Sequence, residues 1–414
     1  MHVYDIAVVG AGPAGMMAAI RAGCLKKKVL LIERGNSLGK KILLSGKGRA
    51  NVSNSVSLSE FLSKFGKQGP FLRNAFSRFF NDELINFFKA KGLELKIERQ
   101  GRVFPVTDRA ASILEVLKEY LLEAKVTIVY NKRLINMRKE NNDFCLFFET
   151  NAPLKAQRVI LATGGVTFSF TGSSGDGFAI AKKLGHTVIP LTPGLVPLRT
   201  KERWVNQLKG LTLKNISLTF KSKNKKIISH VGELLFTHFG VSGPLVLDVS
   251  SAIVGLLEEN KEVFLFIDLK PGLTEAELEE RLLREFRLQG DKNIKNILKG
   301  LLPQRLITVF LQLLKMDGMK KGNQINKEER RNSIKLFKAF PLQIIGSLPI
   351  EEAMVSCGGV ATKEINPQTM ESKIVPGLYF AGEIIDASAS SGGYNLQQAF
   401  STGYVAGECA GYSL

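Results

Sequence analysis

Hydrophobic and polar positions along this chain follow one regime at its two ends and another in the middle. Ile6 to Val9 is a short apolar run, β-branched enough to be a strand buried on both faces of a parallel sheet. Met16 to Ala22, rich in Ala and Met, is predicted as helix, and Lys28 to Ile32 supplies a second strand. From Glu60 to Lys91 apolar residues recur near helical spacing, with Phe76, Phe79, Phe80, Leu84, Phe87 and Phe88 marking a core face. Gly101 to Pro105 reads as a turn-bounded strand, Ala110 to Leu122 as an amphipathic helix, and Val126 to Val129 and Asp143 to Phe148 as strands. Arg158 to Ala162 returns to a buried strand that ends in Gly164 and Gly165, followed by a helix from Phe178 to Leu184.

After the Pro190–Gly194 stretch the pattern changes. Thr212 to Phe220 alternates, Lys226 to Leu235 follows a basic turn, and Phe264 to Asp268 completes a mainly β segment. From Thr274, with Glu277 at the capping-box position, the period is helical to about Leu336. Strand-and-glycine punctuation then resumes at Gly358-Gly359-Val360, Leu378 to Ala381, and a final helix from Leu396 to Gly407. The expected organisation is a discontinuous α/β domain, 1–193 and 341–414, interrupted by an insert at 194–340 whose β part is about 194–272 and helical part about 273–340.

Composition changes this picture little. Neither the length of 414 residues nor the 44% apolar content is unusual for a globular protein of two or three domains. No apolar run approaches the span of a bilayer and the chain enters a strand almost at once, so a soluble cytoplasmic protein without a membrane partner is expected. Cys24, Cys145, Cys357 and Cys409 are scattered, which supports neither disulfides nor a metal site. Only Cys357, in a glycine turn, could bring a thiol near a ligand. Charge is the exception. Lys and Arg number 57 against 38 Asp and Glu, a formal +19, and such a field attracts nucleic acid, acidic lipid or anionic substrates. Without an aromatic-plus-basic signature, solvated surface charge is favoured over a nucleic-acid face.

The candidate chemistry lies where the first strand meets the first helix. Gly10, Gly12 and Gly15 suit a tight turn, close approach of a pyrophosphate and close helix-to-strand packing, and the helix start offers unpaired N–H groups to phosphate. Glu33, ending the second strand, can accept hydrogen bonds from ribose hydroxyls and disfavours a 2′-phosphate, so FAD or NAD is expected rather than NADP. The glycine-rich basic stretch Leu38 to Asn54, with Lys40, Gly48, Arg49 and Asn51, is read as a loop wrapping an anionic cofactor. Ala162, Thr163 and Gly164 leave a strand at its carboxyl end, beside the nucleotide. Near the C-terminus, Gly382 and Asp386 follow a strand, and Gly393, Tyr394 and Asn395 open a helix whose N–H groups could meet the flavin edge that gains negative charge on reduction.

These segments together resemble the YhiN/BaiN-like family of FAD-dependent oxidoreductases, which includes aminoacetone oxidase. The likeness runs through GAGPAG, LGKKILLSGKGRANVSN, GRVFP, LATGG, TGSSGDGF, GELLFTHFGVSGP, TMESKIVPGLYFAGEIID and GGYNLQQA. It implies a glutathione-reductase-like FAD-binding Rossmann domain with an inserted β-barrel-like and helical domain. It also implies FAD contacts at Gly12, Ala14, Gly15, Glu33, Arg34, Arg49, Ala162, Thr163, Gly164, Asp386, Tyr394 and Asn395. Lys47 and Ala50 stand where members often carry Gly and Cys. The function expected is hydride exchange between flavin N5 and a small organic substrate, with NAD(P)H as a transient donor. An amine oxidase using oxygen, an RNA-modifying flavoprotein and an electron-transfer protein are the alternatives. For proton transfer His238, in a glycine-bounded loop of the insert, and Tyr394 are the candidates.

Overall fold

In the computed structural model, which describes residues 3–223, 225–259 and 261–413, the strand Val3–Val9 runs parallel to Val29–Ile32 on one side and Asn151–Leu161 on the other. Thr127–Val129 extends the sheet beyond Val29–Ile32. The 11-residue strand Asn151–Leu161 has a divided far edge. Asp143–Phe148 pairs antiparallel with its first half, and Leu378–Phe380 pairs parallel with its last three residues. All four residues of Val29–Ile32 are buried, as continuous apolar strands in a parallel sheet should be. These strands belong to a compact unit formed by Met1–Gly194 and Ile350–Leu414; Leu195–Pro349 forms a second.

Helix Pro13–Cys24 leaves the first strand through the glycine turn and packs on helix Tyr394–Tyr412. Gly403, Gly407 and Gly411 line the contact at four-residue spacing. A Cβ at Gly403 would strike the Ala14 carbonyl, one at Gly407 the Ala18 carbonyl, and one at Gly411 would lie 2.6 Å from Leu25 Cδ1. The helices therefore cross almost backbone to backbone, an approach that only glycine permits. Glu408, buried on the same helix, accepts from Arg21 on the first helix and from Arg78. Gly407→Ala is expected to destabilise the protein by about 1–3 kcal/mol, since overpacking against backbone cannot be relieved by a rotamer change. A denaturant midpoint equal to the wild type would refute this.

The phenylalanine stripe is core: Phe76 lies on helix Gly69–Arg78, Leu84, Phe87 and Phe88 on Asn81–Lys89, and Phe79 and Phe80 in the break between them, with a separate helix, Leu58–Ser63, before. Gly66 at φ +53 and an extended Phe79 make the breaks, while Phe61 meets Phe76 and Phe80 edge-on, each at 5.0 Å. Two strands carry no clear period in the sequence. Leu134–Glu140 pairs with Asp143–Phe148, and Val188–Gly194 pairs with Val355–Val360 across an irregularity between Ile189 and Thr192. Pro190 and Pro193 disguise the latter, and a two-stranded ladder has free edges that tolerate them.

In the second unit six strands close a ring of antiparallel pairs: Thr212–Ser222, Gly232–Phe236, Gly240–Ser242, Leu198–Thr200, Phe340–Ser347, Val263–Asp268 and back to the first. Lys225–Ile228 stands outside this barrel as a hairpin on Thr212–Ser222. A helix, Pro244–Glu258, interrupts the stretch read as β; it is apolar nearly all round, which removes the period that would have marked it. Helices Glu275–Leu288, Gln304–Leu314 and Lys327–Lys338 follow, the first with the expected Thr274–Glu277 capping box.

Candidate dinucleotide-binding site

Gly10 sits at φ +100 at the carboxyl end of the first strand, and a Cβ there would press into the Ala162 backbone. Gly12 is different: a Cβ at that position would meet nothing within 4 Å. It caps helix Pro13–Cys24 with no side-chain hydrogen bond, so the first-turn donors are left to whatever enters that space. Ala14 and Gly15 form the buried start of the helix, and Gly15 is pinned against the Gly10 carbonyl.

Glu33, only 9% exposed, ties this turn to the chain that follows. One carboxylate oxygen accepts from Ala11 N at 3.1 Å and the other from Gly35 N at 2.7 Å. A carboxylate has about four acceptor positions, so lone pairs remain for a ribose. Arg34 lies exposed, 3.2 Å from Asp176, which Arg133 grips through two bonds of 2.8 Å. Lys40 extends along Gly35.

The stretch Lys40–Asn54 is less free than its glycines suggest. Arg49 donates to Glu98 at 2.9 and 2.8 Å and to Asp108 at 3.0 Å, and its guanidinium stacks 3.9 Å from the Phe104 ring centre, so its charge does not stand open to a phosphate. Lys47 and Ala50 sit at φ +58 and +57, and Gly48 at +83. Asn51 Oδ1 accepts from Val103 N at 3.1 Å. Asn54 Nδ2 reaches the Gly392 carbonyl at 3.0 Å, bringing this loop against the turn that opens the last helix.

In that turn Gly393 is left-handed at φ +99 and abuts Ser53. Asn395 spends its amide on Ala389, accepting from its N–H and donating to its carbonyl, each at 2.9 Å, which fixes the 387–393 loop. Tyr394 is buried, with its ring edge-on to Phe61 at 4.8 Å and Lys64 Nζ 5.9 Å away. Asp386 accepts from Gln68 Nε2 at 3.0 Å; burial nonetheless pushes its carboxyl above the usual range. Ala162 continues the strand through a bond to the Val9 carbonyl, Thr163 crowds against Gly177, and Gly164 and Gly382 turn at φ +73 and +77.

Sequence reasoning passed over an ion pair beside these glycines. Lys41 donates to Glu383 Oε2 at 2.6 Å and to Thr167 Oγ1 at 2.7 Å. Glu383 Oε1 accepts from Ser356 N at 2.9 Å and from Ser356 Oγ at 3.1 Å. Burial works to raise the Glu383 carboxyl, but the Lys41 charge and these hydrogen bonds outweigh it and hold it below the usual range. Four segments meet here: Thr167 and Glu383 follow the carboxyl ends of Asn151–Leu161 and Leu378–Phe380, where doubly wound sheets bind ligands, while Ser356 opens the strand Val355–Val360 and Lys41 lies in the short helix Lys40–Leu44. The only signal in the sequence is an acid directly after a strand-ending glycine.

Residues 4–409 match the family described as "HI0933-like protein Rossmann domain". The chain belongs to the HI0933-like family. This HI0933-like protein is 32% identical over 411 residues to the 3-dehydro-bile acid delta(4,6)-reductase of Clostridium scindens, covering 98% of each chain. It is 31% identical over 407 residues to the ribosomal RNA dihydrouridine synthase of Escherichia coli, covering 98% of this chain and 97% of that one. Its fold is similar to that of a 3-ketosteroid-delta4-(5alpha)-dehydrogenase from Rhodococcus jostii, with a TM-score of 0.52, 15% identity, and coverage of 99% and 97%. The protein is an FAD-dependent oxidoreductase, and the open face of Gly12, the uncapped helix start and the spare lone pairs of Glu33 fit that cofactor.

Two further side chains are placed by this structure. His238 belongs to the second unit of the HI0933-like chain, exposed in the turn between Gly232–Phe236 and Gly240–Ser242, its ring 4.8 Å from that of Phe239. Cys357 lies in Val355–Val360, where Ser388 Oγ donates to its sulfur at 3.3 Å and burial pushes the thiol up, away from thiolate chemistry. Among the described residues no helix is long and apolar enough to cross a membrane.

Proposed function

We propose that this protein reduces a ring carbon–carbon double bond conjugated to a carbonyl, with NAD(P)H as electron donor. The observation that carries this reading is shared by two relatives aligned over nearly the whole chain: one is named for reducing steroid double bonds of a 3-dehydro bile acid, the other for making dihydrouridine. Both names describe the saturation of an electron-poor ring alkene, and hydride addition followed by protonation serves both.

In this reading Gly12, Ala14 and Gly15 receive the FAD pyrophosphate, Glu33 the adenosine ribose, and Gly164, Gly382 and Asp386 the ribityl region. FAD, when bound, supplies the hydride chemistry. The protein excludes water, orients the substrate and fixes the local charge through Lys41 and Glu383. Gly48, Lys40 and Asn51 shape the loop over the cofactor, and Tyr394 and Asn395 shape the wall beside it. His238 is a candidate proton carrier, on the strength of imidazole chemistry alone.

Net charge favours a second, narrower reading in which the alkene is a uridine carried in RNA. An excess of +19 far exceeds what a single small anion would call for and attracts a polyanion strongly. Anaerobic titration tests the first reading: NADH or NADPH should bleach the flavin, and a conjugated enone or uridine-containing RNA should restore its colour. Bleaching by amines alone would replace the reductase with an oxidase. Nucleoside mass spectrometry of RNA incubated with enzyme and NAD(P)H tests the second, through a gain of 2 Da per uridine reduced, the mass of two added hydrogens.

A further inference from the structure

The positive charge is not spread evenly. Residues 195–349 carry 26 Lys and Arg against 16 Asp and Glu, while the longer remainder carries 31 against 22. Within the insert the excess concentrates again. Between Arg203 and Gly232 there are seven cations, Arg203, Lys209, Lys214, Lys221, Lys223, Lys225 and Lys226, and no acid. All seven are exposed, and among the described residues none forms an ion pair.

Four of them crown the hairpin formed by Thr212–Ser222 and Lys225–Ile228, whose outer strand is the free edge of the sheet. Lys221 and Lys226 are direct cross-strand partners. Like charges facing each other across a ladder oppose pairing, and an anion laid over the hairpin would relieve that opposition. Lys221 Nζ also rests 5.1 Å over the Phe266 ring, which holds that ammonium in place beside the barrel.

We infer that this lysine-crowned hairpin docks the phosphate backbone of RNA. The inference rests on the uridine reading above, which supplies the polyanion, but the surface can be tested apart from it. A basic edge whose ammonium groups form no ion pair, Lys225 alone lying within reach of the Glu259 charge among the four, releases counterions on binding a strand of phosphates, and that release is its affinity. Because the charges are lysines on flexible stems, the contact is with backbone rather than bases and is indifferent to sequence.

The test is fluorescence anisotropy of a uridine-containing single-stranded RNA 20-mer with the FAD-loaded protein across a salt series. A variant carrying Lys221→Glu, Lys223→Glu, Lys225→Glu and Lys226→Glu is compared with a Lys182→Glu/Lys183→Glu control that removes exposed charge from the other unit. The hairpin variant is expected to bind roughly ten- to a hundred-fold more weakly and to flatten the log–log salt slope by about 3, at ~0.7 for each phosphate no longer neutralised. The control should stay close to wild type, and NAD(P)H-driven bleaching should be equal in all three. RNA binding by the hairpin variant at wild-type affinity, no RNA binding by the wild type, or an equal preference of the wild type for vesicles of anionic phospholipid would overturn the inference. Self-association of the variant with RNA affinity intact would assign the lysines to edge protection instead. RNA binding without loss of uridine keeps the surface and removes the uridine reading, whereas full uridine reduction by the variant does the reverse.

Discussion

A Gly12→Asp variant should fold normally and emerge colourless, retaining FAD at least a hundred-fold more weakly than the wild type. Folding is spared because a Cβ at Gly12 would meet no atom within 4 Å, unlike one at Gly10 or Gly15, which would collide with backbone. The cofactor is lost because the new carboxylate projects into the space the uncapped helix start leaves for the pyrophosphate. Like-charge juxtaposition of this kind costs several kcal/mol, and each 1.4 kcal/mol is about tenfold in affinity. Gly12→Ala, which adds bulk without charge, should lose far less. Circular dichroism and thermal melts of the apo forms separate folding from binding: an unfolded Gly12→Asp protein would refute the open space at this position, and a folded yellow one would show that the turn does not face the phosphates.

Lys41→Met should do its damage through Glu383. The two side chains are 26% and 20% exposed, between a surface pair and a buried one, so stranding the carboxylate should cost about 1–3 kcal/mol. The pH dependence is the sharper readout. In the wild type the folded Glu383 carboxyl lies below its unfolded value, so its contribution is present above the ordinary glutamate range and is lost as pH falls through the folded value. Without Lys41, burial dominates and the folded value rises above the unfolded one. The contribution then changes sign, and the variant gains stability relative to wild type as the medium is acidified through that window. Glu383→Gln added to Lys41→Met should abolish this dependence and restore much of the lost stability. In the loaded protein the same single substitution should shift the flavin midpoint potential, since a net charge beside the crevice has changed. Parallel pH–stability curves for wild type and Lys41→Met would refute the coupling.

Legibility in the sequence followed the range of the interaction. The glycine turn, Glu33 and the capping box of Thr274 are local devices and stand where their spacing puts them. Arg49 meets Glu98 and Asp108, partners 49 and 59 positions away that its glycine-rich neighbourhood does not reveal. Lys41 and Glu383 are 342 positions apart, and only the folded sheet brings them together. The strand Val188–Gly194 and the helix Pro244–Glu258 were hidden for opposite reasons. One carries prolines that argue against a strand, and the other lacks the polar face that would argue for a helix.

The glycine contact between the first and last helices also dictates an order of events on the ribosome. Ala14 and Ala18 are made early but can find their partners only after Gly403 and Gly407 have left the exit tunnel, with the continuous second unit synthesised in between. The insert is thus free to fold while the nucleotide domain waits with its central sheet missing Leu378–Phe380. Arrested chains lacking helix Tyr394–Tyr412 should accordingly yield a protease-resistant fragment from residues 195–349 alone, and cofactor capture should wait until that helix is made.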